Sequence, residues 1–266
     1  MTSARRLRLG IVGASGRMGR ALVRIACDSD DLVVACAVGR EEVGRDVGEL
    51  AGQGTLGVAV VDDVFAIGRV GVDVVVDFSS ASFTGAVVDA VVAAGVPLVS
   101  GTTGLDDVAR VALDRAATRV AVLSEPNTSV GVLVLGDLLR RALALMGSDV
   151  DVEIVETHHK HKVDAPSGTA VRLLEIAETA RADARRVHGR EGRPGARKAD
   201  EIGVFAVRGG DVIGDHTIHL LAEGERLELT HRATNRDVFA HGALRAARWI
   251  HGRPAGRYTL RDVVGG

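Results

Sequence analysis

The stretch Leu7-Arg8-Leu9-Gly10-Ile11-Val12 followed by Gly13-Ala14-Ser15-Gly16-Arg17-Met18-Gly19 decides the reading of the fold. A short apolar run ends in closely spaced glycines, and a helical pattern opens directly after them: Met18, Leu22 and Ile25 recur at i, i+4 and i+7 through Arg17–Cys27. Strand, glycine turn and helix in that order turn a weak glycine pattern into a dinucleotide-binding hypothesis. The glycines permit a tight turn and close backbone approach to a pyrophosphate, and the helix N-terminus turns unpaired N–H groups toward it. The alternative is a tight turn that holds no ligand.

Working outward, the same alternation continues. Apolar runs at Leu32–Val38, Val72–Phe78, Val96–Ser100 and Val120–Leu123 read as strands buried on both faces. Helical stretches at Thr84–Ala94 and Leu105–Thr118 lie between them. This predicts an α/β, Rossmann-like domain with a doubly wound parallel sheet. After about residue 127 the texture changes. A long helix pattern at Ser129–Met146 is followed by strand-like segments at Val150–Thr157, Ile202–Val207, His216–Leu221 and Arg226–Arg232. A helix at Thr169–Ala182 interrupts them, and Phe239–Ile250 is helical again. Strands with few helices predict an α+β domain with a mixed or antiparallel sheet. Val187–Asp200, rich in Arg and Gly, reads as a mobile loop.

The chain of 266 residues carries 33 Lys and Arg against 35 Asp and Glu, a formal charge of -2. That balance argues against nucleic acid or an anionic membrane as partner. Apolar residues make up 46%, which excludes a disordered chain, and the 3% of aromatics leaves little for base stacking. The two cysteines, Cys27 and Cys36, form no metal-binding spacing and read as small buried hydrophobes. With no apolar leader and no run of about 18 apolar residues, a soluble cytoplasmic protein is expected.

An acidic residue is expected about 20 positions after the glycine loop to hold a ribose hydroxyl. Gly39 stands there with Arg40 next to it. A guanidinium pairs with a ribose 2′-phosphate, so NADPH is expected to serve at least as well as NADH, although Glu41 and Glu42 remain within reach of the ribose.

The second signal is Glu156-Thr157-His158-His159-Lys160-His161-Lys162-Val163-Asp164-Ala165-Pro166-Ser167-Gly168-Thr169-Ala170. A solvated charged loop is one reading. A metal site is another, but Lys160 and Lys162 would repel a cation and no cysteine or carboxylate completes a ligand spacing, so no metal is expected. The third is a cationic pocket. Ser167 is placed to cap a helix, leaving the Gly168 and Thr169 N–H groups for a carboxylate beside the basic side chains. Both features together suit a substrate with more than one carboxylate.

The glycine loop and this cluster together resemble the 4-hydroxy-tetrahydrodipicolinate reductase (dihydrodipicolinate reductase) family of the diaminopimelate–lysine pathway. Its signature, EXHHXXKXDXPSGTA, is matched throughout Glu156–Ala170. Further similarity lies in Asp77-Phe78, Gly101-Thr102-Thr103-Gly104, Pro126-Asn127-Thr128-Ser129-Val130-Gly131, Arg190-Glu191-Gly192, Arg208–Asp211, Gly214–Thr217 and Arg261–Val263. The resemblance implies reduction of a cyclic dicarboxylate to tetrahydrodipicolinate with hydride from NADPH or NADH. It implies proton donation by His158 and Lys162, and carboxylate contacts from His159, Gly168 and Thr169. The cofactor would lie on Gly13, Ala14, Ser15, Gly16, Arg17 and Met18, on Arg40, on Gly101, Thr102 and Thr103, and on Glu125, Pro126, Asn127 and Thr128. It also implies a nucleotide domain of residues 1–127 with 236–266, a substrate and oligomerisation domain of residues 128–235, hinge closure between them, and a homotetramer. Gly39 replaces an acid found in members that use NADH well. Glu125 replaces a small residue, and its carboxylate would either disturb the nicotinamide or face solvent. The rival readings are another two-domain NAD(P)-dependent dehydrogenase and a non-catalytic nucleotide sensor.

Overall fold

In the computed structural model, which describes residues 5–147, 149–181 and 183–265, the apolar runs form the middle of a seven-stranded sheet. In chain order its first part comprises β1 (Leu7–Val12), α1 (Arg17–Cys27), β2 (Leu32–Val38), α2 (Val47–Leu50), β3 (Val60–Val61), α3 (Ala66–Val70), β4 (Val74–Asp77), α4 (Thr84–Ala94), β5 (Leu98–Ser100), α5 (Asp107–Ala117) and β6 (Ala121–Ser124). Then come α6 (Val130–Met146), β7 (Asp151–His158), α7 (Gly168–Thr179), β8 (Arg185–Val187), β9 (Glu201–Arg208), β10 (Gly214–Ala222) and β11 (Glu225–Ala233). The chain closes with α8 (Asp237–Ile250), β12 (Gly256–Tyr258) and α9 (Leu260–Gly265). Contacts divide it into two units: the chain up to Ser129 together with Arg236 onward, and Val130–Asn235.

The first unit carries the sheet in the order β12-β6-β5-β4-β1-β2-β3. Its neighbouring strands all pair in parallel. Every residue of β4 and β5 is buried, as parallel strands covered on both faces must be. The strand order reverses between β1 and β4, and in doubly wound sheets a crevice opens beyond the carboxyl ends of the strands at that point. α1 buries Leu22, Val23, Ile25 and Ala26, the face its apolar spacing predicts. It sits so close to the sheet that a Cβ on Gly19 would collide with the backbone of Gly13 and Ala14.

The second unit is a mixed five-stranded sheet in the order β11-β10-β7-β9-β8, with β7, β9 and β8 parallel and β10 and β11 antiparallel. β7 and β10 alternate buried and half-buried residues, the signature of a sheet with one covered face. On that face Val152, Ile154, Ile218 and Leu220 pack with Leu135, Leu139, Leu173 and Leu174 of α6 and α7. Towards the far end of β7 the same face turns polar, with Glu156, His158 and His216 all buried.

Three expectations need correction. Residues 187–200 are expected as a loop throughout; 188–200 carry no helix or strand, but Val187 ends β8, and two of the arginines that follow are paired. Arg190 bonds Glu153 and Glu201, and Arg197 bonds Asp151 and Glu153. Cys27 is exposed rather than buried, because it ends α1. The helix expected over Thr169–Ala182 is observed over Gly168–Thr179, and Ala182 lies outside the described residues. No helix among the described residues is long and apolar enough to cross a membrane.

Candidate active site

At the switch point of the first unit, the glycine turn runs in the left-handed region at Gly13 (φ 78°), where a Cβ would stand 2.6 Å from the Phe78 carbonyl. The N–H groups of Gly13 and Ala14 bond the Val38 carbonyl, which hangs the turn on the end of β2. Gly16 precedes α1 in an extended conformation and no side chain caps the helix, so its first amides are left for a ligand. A cleft of about 230 Å³ opens there, lined by Gly13, Ser15, Gly16, Gly39, Arg40, Glu41, Asp62, Phe78, Ser79 and Phe83 among others. The Arg40 guanidinium lies 5.0 Å from the centre of the Phe83 ring. These features fit an anionic dinucleotide: uncapped amides for phosphates, and a cation on an aromatic face for the adenosine end.

The remaining cofactor candidates separate into groups. Ala14 is buried beneath the turn, Met18 is half-buried and Arg17 is exposed, and none of them lines this cleft. Gly101, Thr102 and Thr103 leave the end of β5. The Thr102 hydroxyl donates to the buried Asp77, which also accepts from Ser79 and Ser100. Asp77 thus braces the chain beyond both β4 and β5, a role the sequence did not disclose. Pro126 is exposed and Asn127 accepts from the Ser129 amide. The Thr128 hydroxyl is spent on the Phe239 carbonyl of α8. Glu125 is half-buried, and its carboxylate accepts from the first amide of α9, Leu260 N, at 3.4 Å. Of the two acids expected near the ribose, Glu41 lines the cleft while Glu42 pairs with Arg45. Asp62 joins Glu41 there by way of β3, which sequence alone could not place. Gly39 is closely packed: a Cβ there would stand 3.0 Å from the Ser15 hydroxyl and 3.1 Å from Val60, so either side chain would have to shift slightly.

In the second unit the titratable cluster is built on β7. Glu156 and His158 are two residues apart on one strand, so they share a face. The Glu156 side chain is wholly buried. Its Oε2 accepts from His158 Nδ1 at 2.6 Å and from Arg208 at 2.7 Å. Its Oε1 accepts from Arg208 at 2.8 Å and from the Ser167 amide at 2.9 Å. Burial alone would push the Glu156 carboxyl up, but these donors hold it below the usual carboxylate range. Burial pushes His158 down, against the pull of Glu156, so its imidazole is neutral at pH 7. His216, opposite Glu156 in register, is buried and pushed down to about 3, by burial first and by His158 next. It shares a hydrogen bond of 3.0 Å with the Ser167 hydroxyl.

Ser167 caps α7 as expected, its hydroxyl accepting from the Ala170 amide. Gly168 and Thr169 form the first turn, and the space beside Gly168 is open. Lys162 Nζ, mostly covered, donates to both oxygens of Asp164 at 2.7 and 2.9 Å. The His159 amide bonds the Val212 carbonyl, fastening this loop to the one between β9 and β10. Glu156 therefore joins His158 to the start of α7, and the Lys162 charge acts on the His158 ring. Sequence reasoning gave no role to Glu156, Arg208 or His216. Period-two spacing could have found Glu156, but the strand register that brings Arg208 and His216 beside it could not be read. Among the described residues no group of three His, Cys, Asp or Glu side chains is arranged to hold a metal ion.

A doubly wound nucleotide-type sheet with an uncapped glycine turn, joined to a mixed-sheet unit bearing a buried histidine–carboxylate cluster, defines a two-unit oxidoreductase that uses a pyridine nucleotide. Comparison with known proteins narrows the class. Residues 7–128 match the family model described as dihydrodipicolinate reductase, N-terminus, and residues 131–264 the one described as its C-terminus. The chain belongs to the dihydrodipicolinate reductase family. A 4-hydroxy-tetrahydrodipicolinate reductase of Halorhodospira halophila is 48% identical over 265 residues, spanning 97% of this chain and 99% of that one. One from Anaeromyxobacter dehalogenans is 49% identical over 261 residues, spanning 96% of each. Among solved structures, the dipicolinate-bound dihydrodipicolinate reductase of Paenisporosarcina sp. TG-14 superposes with a TM-score of 0.75 at 22% identity, covering 96% of this chain and 97% of that one. A myo-inositol dehydrogenase of Corynebacterium glutamicum reaches 0.58 at 16%, covering 93% of this chain and 89% of that one. At these identities both structures speak for the fold alone.

Proposed function

We propose that this protein reduces 4-hydroxy-tetrahydrodipicolinate to tetrahydrodipicolinate in diaminopimelate and lysine biosynthesis, with NADPH serving at least as well as NADH. The observation that carries the reading is the cluster at the end of β7. There the buried His158, with the Lys162 charge acting on it, is tied through Glu156 to a helix N-terminus that Ser167 caps, with open space beside Gly168. Such a site holds a dianion and can protonate it. The first amides of α7, at Gly168 and Thr169, take one carboxylate, and His159 contacts the substrate from the neighbouring loop. Binding of that dianion favours the imidazolium form of His158, whose Nε2 is the nitrogen turned away from Glu156. His158 and Lys162 then supply the proton and offset the negative charge that develops as the ring is reduced.

When bound, the nicotinamide supplies the hydride. The chain's own part in the first unit is to seat the nucleotide. Gly13, Ser15 and Gly16 present backbone to the phosphates, Arg40 faces the adenosine ribose, and Asp77 braces the Gly101–Thr103 segment. Arg40 favours a 2′-phosphate, while Glu41 and Asp62 in the same cleft keep a ribose hydroxyl acceptable. The second unit also presents one sheet face that α6 and α7 leave uncovered, and we assign it to a homotetramer.

The test is loss of reduced-nucleotide absorbance, with substrate formed in place from pyruvate and aspartate semialdehyde by the preceding synthase. Fast oxidation that needs the synthase, with NADPH at least matching NADH, is expected. Binding of NADPH without oxidation would favour a nucleotide sensor, and turnover of a sugar or amino acid instead would favour another dehydrogenase.

A further inference from the structure

The carboxylate behind the proposed proton donor has a more specific arrangement than an ion pair needs. Each oxygen of Glu156 takes one guanidinium N–H from Arg208 and one donor from the site. On Oε2 the site donor is the His158 imidazole, and on Oε1 it is the Ser167 amide immediately before α7. All four donors converge on one fully buried group. A buried pair contributes little net stability compared with apolar side chains of the same shape, so stability alone does not explain it. What the arrangement does is geometric. The proton donor sits on β7, the carboxylate cradle begins α7, and the Glu156 side chain is bonded to both.

We propose that Glu156 is the positioning residue of this site, fixing His158 as its Nδ1–H tautomer and the start of α7 through the Ser167 amide, with Arg208 holding the carboxylate in place. The inference rests on the reductase reading for what His158 and α7 do, but the geometry it asserts is independent of that reading. A carboxylate accepts and does not donate, so the Nδ1 facing it carries the proton and Nε2 is left for substrate. His216 repeats the device one strand away, its Nε2 on the Ser167 hydroxyl, so a second buried histidine steadies the same cap. The groups facing His158 are Glu156 from its own strand, Lys162 from the following loop, Arg208 from β9 and His216 from β10. Glu156 is the only anion among those four. Its removal leaves His158 among cations and a neutral ring, and protonation of His158 becomes harder.

Two measurements test this. The first needs no change at Glu156: nitrogen NMR of histidine-labelled wild-type protein, with the His158 signals identified by their loss in His158→Ala. The neutral ring is expected as Nδ1–H, and finding it as Nε2–H overturns the proposal. The second is Glu156→Gln. Its kcat is expected to fall about ten- to a hundredfold, the range for groups that orient a functional histidine from behind. KM for the dicarboxylate should rise, while the dissociation constant for NADPH, read by nucleotide fluorescence, stays as in wild type. Activity that requires protonated His158 falls as pH rises through its pKa, so in the variant this fall should come at lower pH. Unchanged kcat and an unchanged pH profile in folded Glu156→Gln would overturn the proposal. Should the variant not fold, the wild-type tautomer decides. Wild-type protein that shows the Nδ1–H tautomer but no turnover supports the positioning and removes the reductase reading.

Discussion

In the function proposed above, the glycine turn after β1 and the polar end of β7 both seat anions, by opposite means. The turn does it with backbone: positive φ at Gly13, an uncapped α1, and small residues packed so tightly that a Cβ at Gly13 or Gly19 would strike main chain. The end of β7 does it with side chains: Glu156, His158 and His216 are buried and Arg208 is half-buried, with Glu156 bonded to His158 and Arg208 and His216 bonded to the Ser167 hydroxyl. Backbone amides do not titrate, so the part of the first site that meets the phosphates depends on no protonation state. The second depends on protonation states set by burial and by its neighbours, as suits a site that must release a proton. Substitutions should therefore act on one site without the other.

The largest separation is expected for the proton donors. His158→Ala and Lys162→Ala should each lower kcat by about 10²- to 10⁴-fold while leaving NADPH affinity unchanged, read by steady-state kinetics beside fluorescence titration. Near-normal kcat in either would break the comparison on the side-chain end.

Next is the pH dependence of stability. His216 has a folded pKa of about 3, below the ordinary histidine value, so the unfolded chain binds the proton more readily. Its contribution is fully present above about pH 6.5 and is lost as pH falls towards 3, at up to about 1.4 kcal/mol per pH unit. His158, also pushed down by burial, acts in the same direction. Chemical denaturation between pH 7 and 4.5 should show a steeper loss for wild type than for His216→Gln. Parallel slopes would mean that His216 is not held neutral.

The backbone end is tested by Gly13→Val. Strain at positive φ and the approach to the Phe78 carbonyl should weaken NADPH binding tenfold or more, about 1.4 kcal/mol. Binding of dipicolinate, a planar dicarboxylate probe, should not change in calorimetry. The smallest effect belongs to Arg40→Ala, which should raise KM for NADPH several-fold, by roughly 1 kcal/mol or less, and leave KM for NADH nearly unchanged.

The difference between the two ends also sets how much could be read beforehand. The glycine turn is local in sequence, so Gly13–Gly19, β1, α1, β2 and α4 could be read residue for residue from period and turn chemistry. β3 and β12, of two and three residues, are too short to carry a period. At the other end the basic run was plain, but its organiser was not. Glu156 and Arg208 are 52 residues apart and meet only because β7 and β9 lie side by side in one register. The partners of Arg190 and Arg197 were hidden for the same reason: Glu153, Asp151 and Glu201 come from strands whose register is set by the tertiary fold. The desolvation that lowers His158 likewise depends on packing above β7.

The most direct test of two anion sites made by different means is a crystal structure with NADPH and dipicolinate bound. The account predicts the nucleotide phosphates on the backbone of Gly13–Gly16, and a dipicolinate carboxylate on the Gly168 and Thr169 amides within reach of His158 and Lys162. A dicarboxylate seated away from α7, or phosphates held by side chains remote from the glycine turn, would contradict it.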